Sequence, residues 1–326
     1  MSAPLRLVFL GSDSIALPLL QGLETEKGTA EVIAVFTQPD RAVGRGQKIQ
    51  PNAIKAWALA RGLPVFQPEK LDDDVRQQLG ALRADLGLVM AYGHILRDEF
   101  IGTPRLGMLN FHTSLLPKYR GASPIQTAVA NGERVTGVTL MRIVKKLDAG
   151  PIVDWEQVIV DSLDTAGDIE TKLAAACGPL LARALPGIAA GTARFLAQDE
   201  SAATYCRKLE KEDGMLDFAS PATTLAARIN GLFPWPSCSI EIGGQSIRLG
   251  LADAMAAAGI SAPAGCVAGV DAHGLLVATG AGLLRLRRLQ RAGGKMLSAS
   301  EFLRGFPVAI GTPIPSRPMP PLVVVR

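Results

Sequence analysis

Alternating β-like and α-like signals in the first part of the chain, then a run of short β-like pieces, predict an α/β fold with a second, smaller β domain. Three observations carry this reading. Short apolar runs separated by helical stretches recur from Leu5 to Val160. The run Leu86 to Tyr92 is apolar almost throughout, as in a strand covered on both faces. Beyond Phe233, strand-like segments recur at hairpin spacing. With 326 residues the chain is long enough for two cores.

Element by element, Leu5 to Leu10 reads as a strand and Ser14 to Leu23 as a helix. Val32 to Phe36 is a second strand, ending in the turn-rich Gln38-Pro39-Asp40. Pro51 opens a helix through Arg61, since proline is at home in a first turn. Pro64 to Phe66 is β-like, and Asp72 to Leu82 is helical with Asp72 as N-cap. Leu106 to Phe111 and Thr136 to Val144 are strands on either side of a helix over Ser123 to Ala130. This βαβ pattern predicts that the second strand returns beside the first, bringing the Asp148 loop to the strand end that carries His112. Ile152 to Val160 is a further strand. Thr165 to Ala190 is a long helix that Pro179 and Pro186 are expected to kink or divide.

The texture changes near Gln198, which places a catalytic domain at 1–190, a linker at 191–208 and a second domain at 209–326. In the latter, Pro221 to Ile229 is a helix. The short strands are Ser237 to Ile242, Gln245 to Leu249, Gly265 to Val270, Leu275 to Ala278 and Leu283 to Leu289.

Composition narrows the function classes. Close to half the residues are apolar and about a fifth charged, as in folded soluble domains. Cys177, Cys206, Cys238 and Cys266 are scattered, without a CxxC pair or a nearby histidine, which reads as buried thiols in a reducing compartment. The amino terminus enters a strand at once and no apolar run approaches the ~20 residues of a membrane helix, so a cytoplasmic protein without membrane attachment is expected. His94 and His273 lack partners at ligand spacing, and no metal is expected. Net charge is only +4, but two stretches carry cations and no acid. One holds Arg41, Arg45, Lys48, Lys55 and Arg61; the other holds Arg285, Arg287, Arg288, Arg291 and Lys295. Such local basic faces suit a polyanion.

The stretch Asn110-Phe111-His112-Thr113-Ser114-Leu115-Leu116-Pro117-Lys118-Tyr119-Arg120-Gly121, answered by Leu147-Asp148-Ala149-Gly150, carries the chemistry. Asn110 and His112 are two apart and share one face of a strand. Imidazole suits proton transfer near neutral pH, a carboxamide N–H suits a developing oxyanion, and a carboxylate can orient or charge-tune the ring. Acyl transfer to an amine needs these three groups. A nicotinamide dehydrogenase fits the fold pattern, but Gly11 is not followed by the further glycines of G-x-G-x-x-G.

These residues resemble the signature of the folate-dependent formyltransferases. Val35 to Arg41 leading into Gly44-Arg45-Gly46, Gly62 to Pro68, Ala91-Tyr92-Gly93 and Phe233-Pro234-Trp235-Pro236 are similar to the methionyl-tRNA formyltransferase family in particular. The resemblance implies a Rossmann-like formyltransferase domain followed by an OB-like β-barrel. It implies transfer of a formyl group from 10-formyltetrahydrofolate, a cosubstrate, to methionyl-initiator tRNA by an enzyme expected to be a monomer. Asn110, His112 and Asp148 match the family's catalytic triad, and Ser114, Leu115, Leu116 and Pro117 its folate-contact segment. Arg41, Arg45 and Lys48 match the loop that approaches the tRNA acceptor end, and the Arg285 to Lys295 run would neutralise phosphates. Three positions depart from the pattern: Lys146 and Ala149 stand where the family usually has Gly and Thr, and Thr113 where a small Gly or Ala is commoner. Lys146 is expected to alter the loop backbone, because glycine reaches positive φ more cheaply. A formyltransferase acting on an amino sugar or a small purine precursor is the nearest alternative.

Overall fold

The computed structural model describes residues 3–26, 28–43, 48–257 and 262–324. They form two compact units. The first takes in residues 1–120, 137–158 and 171–203; the second takes in 204–326 together with 121–136 and 159–170.

The first unit is built on a seven-stranded sheet in the order β10-β9-β7-β6-β1-β2-β5. In chain order, β1 (Leu5–Leu10) leads through α1 (Leu17–Leu23) to β2 (Ala30–Phe36). A two-stranded hairpin follows, β3 (Arg41–Val43) against β4 (Lys48–Gln50). Next come α2 (Ala53–Leu59), β5 (Val65–Phe66), α3 (Asp73–Ala81), β6 (Leu86–Val89), α4 (Asp98–Ile101) and β7 (Met108–His112). Strand β1 pairs parallel with β2 and β6, β2 with β5, and β6 with β7. Leu7, Val8, Phe9 and Leu10 are all fully buried, consistent with a strand covered on both faces. The chain winds outward from β1 through β2 and β5, then restarts at β6 on the other side of β1. The switch point therefore lies between β1 and β6, where open α/β sheets form their ligand crevice. Gly11 sits there because a Cβ would fall 2.6 Å from the Met90 carbonyl oxygen.

One local expectation shifts and another holds. The cap of α2 is Asn52, whose side chain accepts from the Lys55 N–H, so Pro51 precedes the helix and does not open it. Asp72 does cap α3, accepting from Val75 N–H at 3.1 Å.

The chain continues through β8 (Arg120–Gly121), α5 (Pro124–Ala130), β9 (Val135–Arg142) and β10 (Ile152–Ile159). Here the predicted parallel return is wrong: β9 runs antiparallel to β7, with His112 opposite Thr139 and Leu109 opposite Arg142. The α5 crossover thus delivers β9 in the opposite sense. Strands β9 and β10 then form a hairpin, tied by Arg142 N–H to Pro151 C=O at 2.9 Å. Helix α6 (Ala166–Ala189) is not divided by its prolines. Each proline forfeits one backbone hydrogen bond, and buried neighbours such as Leu173, Leu180, Leu181 and Leu185 hold the helix regardless.

The second unit contains β11 (Tyr205–Cys206), α7 (Ala222–Leu232), β12 (Ser239–Ile242), β13 (Gln245–Met255), β14 (Val267–Val270), β15 (Leu275–Ala278), β16 (Leu283–Arg291), β17 (Leu297–Ser298), α8 (Ala299–Gly305) and β18 (Val323–Val324). Strands β12 to β17 form an antiparallel sheet in the order β12-β13-β16-β15-β14, with β17 beside β16. Irregularities on either side of Leu251 in β13 let the sheet curl, as the expected OB-like barrel requires. Ile240, Ile247, Leu249, Leu284, Leu286 and Leu289 fill its core with Leu225 and Ile229 of α7. Gly231 of α7 lies where a Cβ would fall 2.2 Å from Ala130 N, so glycine is needed for α5 and α7 to meet.

The four cysteines are free. Cys177 and Cys238 are fully buried, and burial pushes both thiols up to about 12. Among the described residues no helix is long and apolar enough to cross a membrane.

Candidate active site

Strand β7 ends beside the switch-point strand β6, with Asn110 opposite Val89. By strand alternation Asn110 and His112 share a face. Asn110 is half-buried, and its side-chain amide makes no hydrogen bond to the described residues, so its donors are available to a ligand. His112 is 6% exposed. Its Nε2 lies 2.9 Å from the Tyr119 carbonyl oxygen. A carbonyl only accepts, so this nitrogen carries the hydrogen. The other nitrogen, Nδ1, faces Asp148, with Oδ2 at 3.8 Å.

Because β9 runs antiparallel to β7, strand direction alone would carry the 143–151 loop away from His112. The loop folds back, and its geometry is specific. Gly150 packs so tightly that a Cβ would fall 1.7 Å from the Arg142 carbonyl oxygen. Asp148 itself adopts φ +48°, a left-handed conformation that Asp and Asn tolerate better than most residues. Lys146 is not among the positive-φ residues, so the backbone cost expected there is absent. Its Nζ instead pairs with Glu200 Oε2 at 2.6 Å.

The Ser114 to Pro117 segment is shaped from within. The Ser114 hydroxyl donates to Lys118 C=O at 2.6 Å, and Thr139 Oγ1 donates to Ser114 C=O at 2.7 Å while accepting from Leu116 N–H at 3.1 Å. Ser114 and Leu116 are buried, the latter against Met141 and Ile152, whereas Leu115 and Pro117 are half-exposed. The Leu116-Pro117 peptide is cis.

Arg41 and Lys48 stand exposed on the β3–β4 hairpin, where Lys48 faces Val43 and Arg41 faces Gln50. Arg45 lies outside the described residues. A polar network secures the hairpin base. The Gln38 amide donates to Tyr92 C=O at 3.2 Å, and Gln67 and Lys55 bind the Asp40 carboxylate at 2.9 and 2.5 Å. The Lys55 hydrogen bond, then that of Gln67, holds the Asp40 carboxyl below the usual carboxylate range. The His94 ring packs at a tilt against Tyr92 with ring centroids 5.0 Å apart, and burial lowers its pKa. His273 is exposed.

The second basic run is largely spoken for. Arg285 bonds Asp253 and Asp271 at 2.5 and 2.9 Å, and Arg287 bonds Asp253 at 2.5 Å. Arg288, Arg291 and Lys295 are the exposed cations of that run.

Sequence reading missed Tyr119, whose backbone carbonyl holds His112, and Gln198 and Glu200, which bind the neighbourhood of Asp148. Gln198 Nε2 donates to the carbonyls of Asp148 and Gly150 at 2.8 and 2.7 Å. Among the described residues no group of three or more His, Cys, Asp or Glu is placed to hold a metal.

Residues 5–185 match the model of the formyl transferase family, and residues 208–307 that of the formyl transferase C-terminal domain. A methionyl-tRNA formyltransferase of Ectopseudomonas mendocina is 42% identical over 91% of this chain and 93% of that protein. One from Pseudomonas fluorescens strain SBW25 is 42% identical over 96% of this chain and 98% of its own. Among solved structures, WlaRD, a sugar 3N-formyl transferase, matches with a TM-score of 0.65 at 18% identity, covering 89% of this chain and 98% of that one. HypX from Aquifex aeolicus in complex with tetrahydrofolic acid matches at a TM-score of 0.61 and 16% identity, covering 95% of this chain and 48% of that one. These two likenesses concern the fold; the relatives with high identity over both domains settle the family. The chain belongs to the methionyl-tRNA formyltransferases.

Proposed function

We propose that this protein transfers the formyl group of 10-formyltetrahydrofolate to the α-amino group of methionine esterified to initiator tRNA, as a cytoplasmic monomer supporting translation initiation. The observation that supports it most directly is the approach of His112 Nδ1 to Asp148 beside the unengaged amide of Asn110. Residues 1–190 would carry the chemistry, 191–208 the connection and 209–326 further contacts to the tRNA.

The amine attacks the formyl carbon, a C–N bond forms, and the formyl oxygen becomes negative. The Asn110 amide donates to that oxygen. His112 Nδ1, the nitrogen not committed to Tyr119, takes the proton released by the attacking nitrogen. The Asp148 carboxylate stabilises the imidazolium so formed. When the C–N10 bond breaks, the same nitrogen returns the proton to the departing tetrahydrofolate. Ring orientation comes from a backbone carbonyl, and Asp148 acts on charge at the reactive nitrogen. Leu115 and Pro117 are the members of the Ser114 to Pro117 segment with surface to offer a folate, and Ser114 and Leu116 shape it from beneath. Arg41, Arg45 and Lys48 are assigned to the tRNA acceptor end, where their charges would neutralise phosphates.

An assay of radiolabelled methionyl-initiator tRNA with the formyl donor, run beside a nucleotide-linked amino sugar, tests the reading. Label is expected in formylmethionyl-tRNA. Formylation of the sugar amine alone would overturn it.

A further inference from the structure

We propose that Gln198 is a positioning residue for the reaction, acting through the Asp148 loop; the proposal rests on the catalytic reading of Asp148 given above. Gln198 is 50 residues from Asp148 in sequence, yet its single amide engages both ends of the loop's turn. Nε2 donates to Asp148 C=O at 2.8 Å and Gly150 C=O at 2.7 Å. Oε1 accepts from Arg120 Nε at 3.1 Å and Nη2 at 2.7 Å. The orientation is chemically forced. A guanidinium offers only donors and the two carbonyls only acceptors, so a flipped amide would clash electrically on both sides.

Arg120 gives this clamp its fixed point. Its side chain is 0% exposed, and beyond Gln198 it forms a two-pronged pair with Glu200, Nη1 to Oε2 at 3.1 Å and Nη2 to Oε1 at 3.0 Å. A fully buried guanidinium held in a fork has little freedom. Glu200 in turn binds Lys146, two residues before Asp148, at 2.6 Å. Arg120 directly follows Tyr119, whose carbonyl fixes His112. One backbone segment therefore locates both members of the His112–Asp148 pair, the imidazole through Tyr119 and the carboxylate loop through Arg120 and Gln198. Displacements of about an ångström at a reacting centre cost up to ~10²-fold in rate, so this coupling has kinetic weight. The left-handed backbone of Asp148 carries a conformational cost that such outside support offsets.

The discriminating variant is Gln198→Glu, which keeps an acceptor toward Arg120 but turns an oxygen toward the two carbonyls. Gln198→Met, of similar length, controls for packing. Both are expected to lower kcat by about 10 to 100-fold with KM for folate and tRNA changed by less than about threefold. In an Asp148→Ala background the same substitutions should lower kcat by less than about twofold, because nothing remains to be positioned. Hydrogen exchange should quicken at residues 143–150 while residues 108–112 keep wild-type protection. Equal losses in both backgrounds, an unchanged kcat in the Gln198 variants, or unaltered exchange of the loop would each overturn the proposal. Near-wild-type turnover of Asp148→Ala would instead overturn the catalytic reading, and loop exchange would then still decide whether the clamp exists.

Discussion

The Nε2 nitrogen of His112 lies 2.9 Å from the carbonyl oxygen of Tyr119. The ring therefore presents Nδ1, and only Nδ1, for proton exchange, at 3.8 Å from the Asp148 carboxylate. His112→Ala removes the proposed base, and Asp148→Asn keeps the side-chain shape while removing the charge proposed to stabilise the imidazolium. Each is expected to lower kcat by roughly 10²- to 10⁴-fold, with folate affinity retained within a few fold. Steady-state kinetics with equilibrium binding of the folate checks this, and turnover near wild type in either variant would exclude the role.

Gly150→Ala places a methyl where the Arg142 carbonyl oxygen already is, 1.7 Å from the ideal Cβ position. The hairpin between β9 and β10 must open to admit it. The variant is expected to lose about 1–3 kcal/mol of stability by urea titration. Its kcat should fall more than a stability loss of that size explains, because Asp148 shifts with the turn.

Glu200 is held down to about 2, first by the Arg120 hydrogen bond and then by that of Lys146, against an ordinary value of 4.5. A carboxyl depressed in the folded state stabilises above its unfolded value and loses that contribution as pH falls through its folded value. The stability difference between wild type and Glu200→Gln should therefore be flat above about pH 5. It should shrink between 4.5 and 2. Urea titrations across pH check the window; a difference that grew on acidification would contradict the assignment.

The paired arginines of β16 behave differently from the exposed ones. Lys295→Ala and Arg288→Ala should each reduce the slope of log affinity for tRNA against log salt by about 1, uniformly across tRNA sequences. Arg285→Ala should act mainly on stability, since it strips the partner from Asp253 and Asp271. Filter binding at several salt concentrations, beside a melting curve for each variant, separates the two behaviours.

Much of the fold was legible because apolar runs and breakers are local signals. Leu5 to Leu10 read as a strand, Leu86 to Tyr92 as one covered on both faces, and Asp72 as a cap. The sense of β9 was not, because the helix-strand rhythm around Ser123 to Ala130 is the same whether the strand returns parallel or antiparallel. That α6 is not divided at its prolines was hidden for a related reason: the neighbours that hold the helix are tertiary. Asn110, His112 and Asp148 stood out by residue type and spacing. Gln198 left no trace, since its meaning depends on Arg120, 78 residues earlier. The basic run at Arg285 to Lys295 overstated its free charge, because Asp253 and Asp271 lie on other strands and loops of the sheet.

The inert thiols have an experimental consequence. Cys177 belongs to the first unit and Cys238 to the second, and each must leave its apolar enclosure before it can become a thiolate. Alkylation of the native protein by a thiol reagent, followed peptide by peptide, would accordingly clock the opening of each half on its own timescale. No engineered label is needed to learn whether the halves come apart together or in turn.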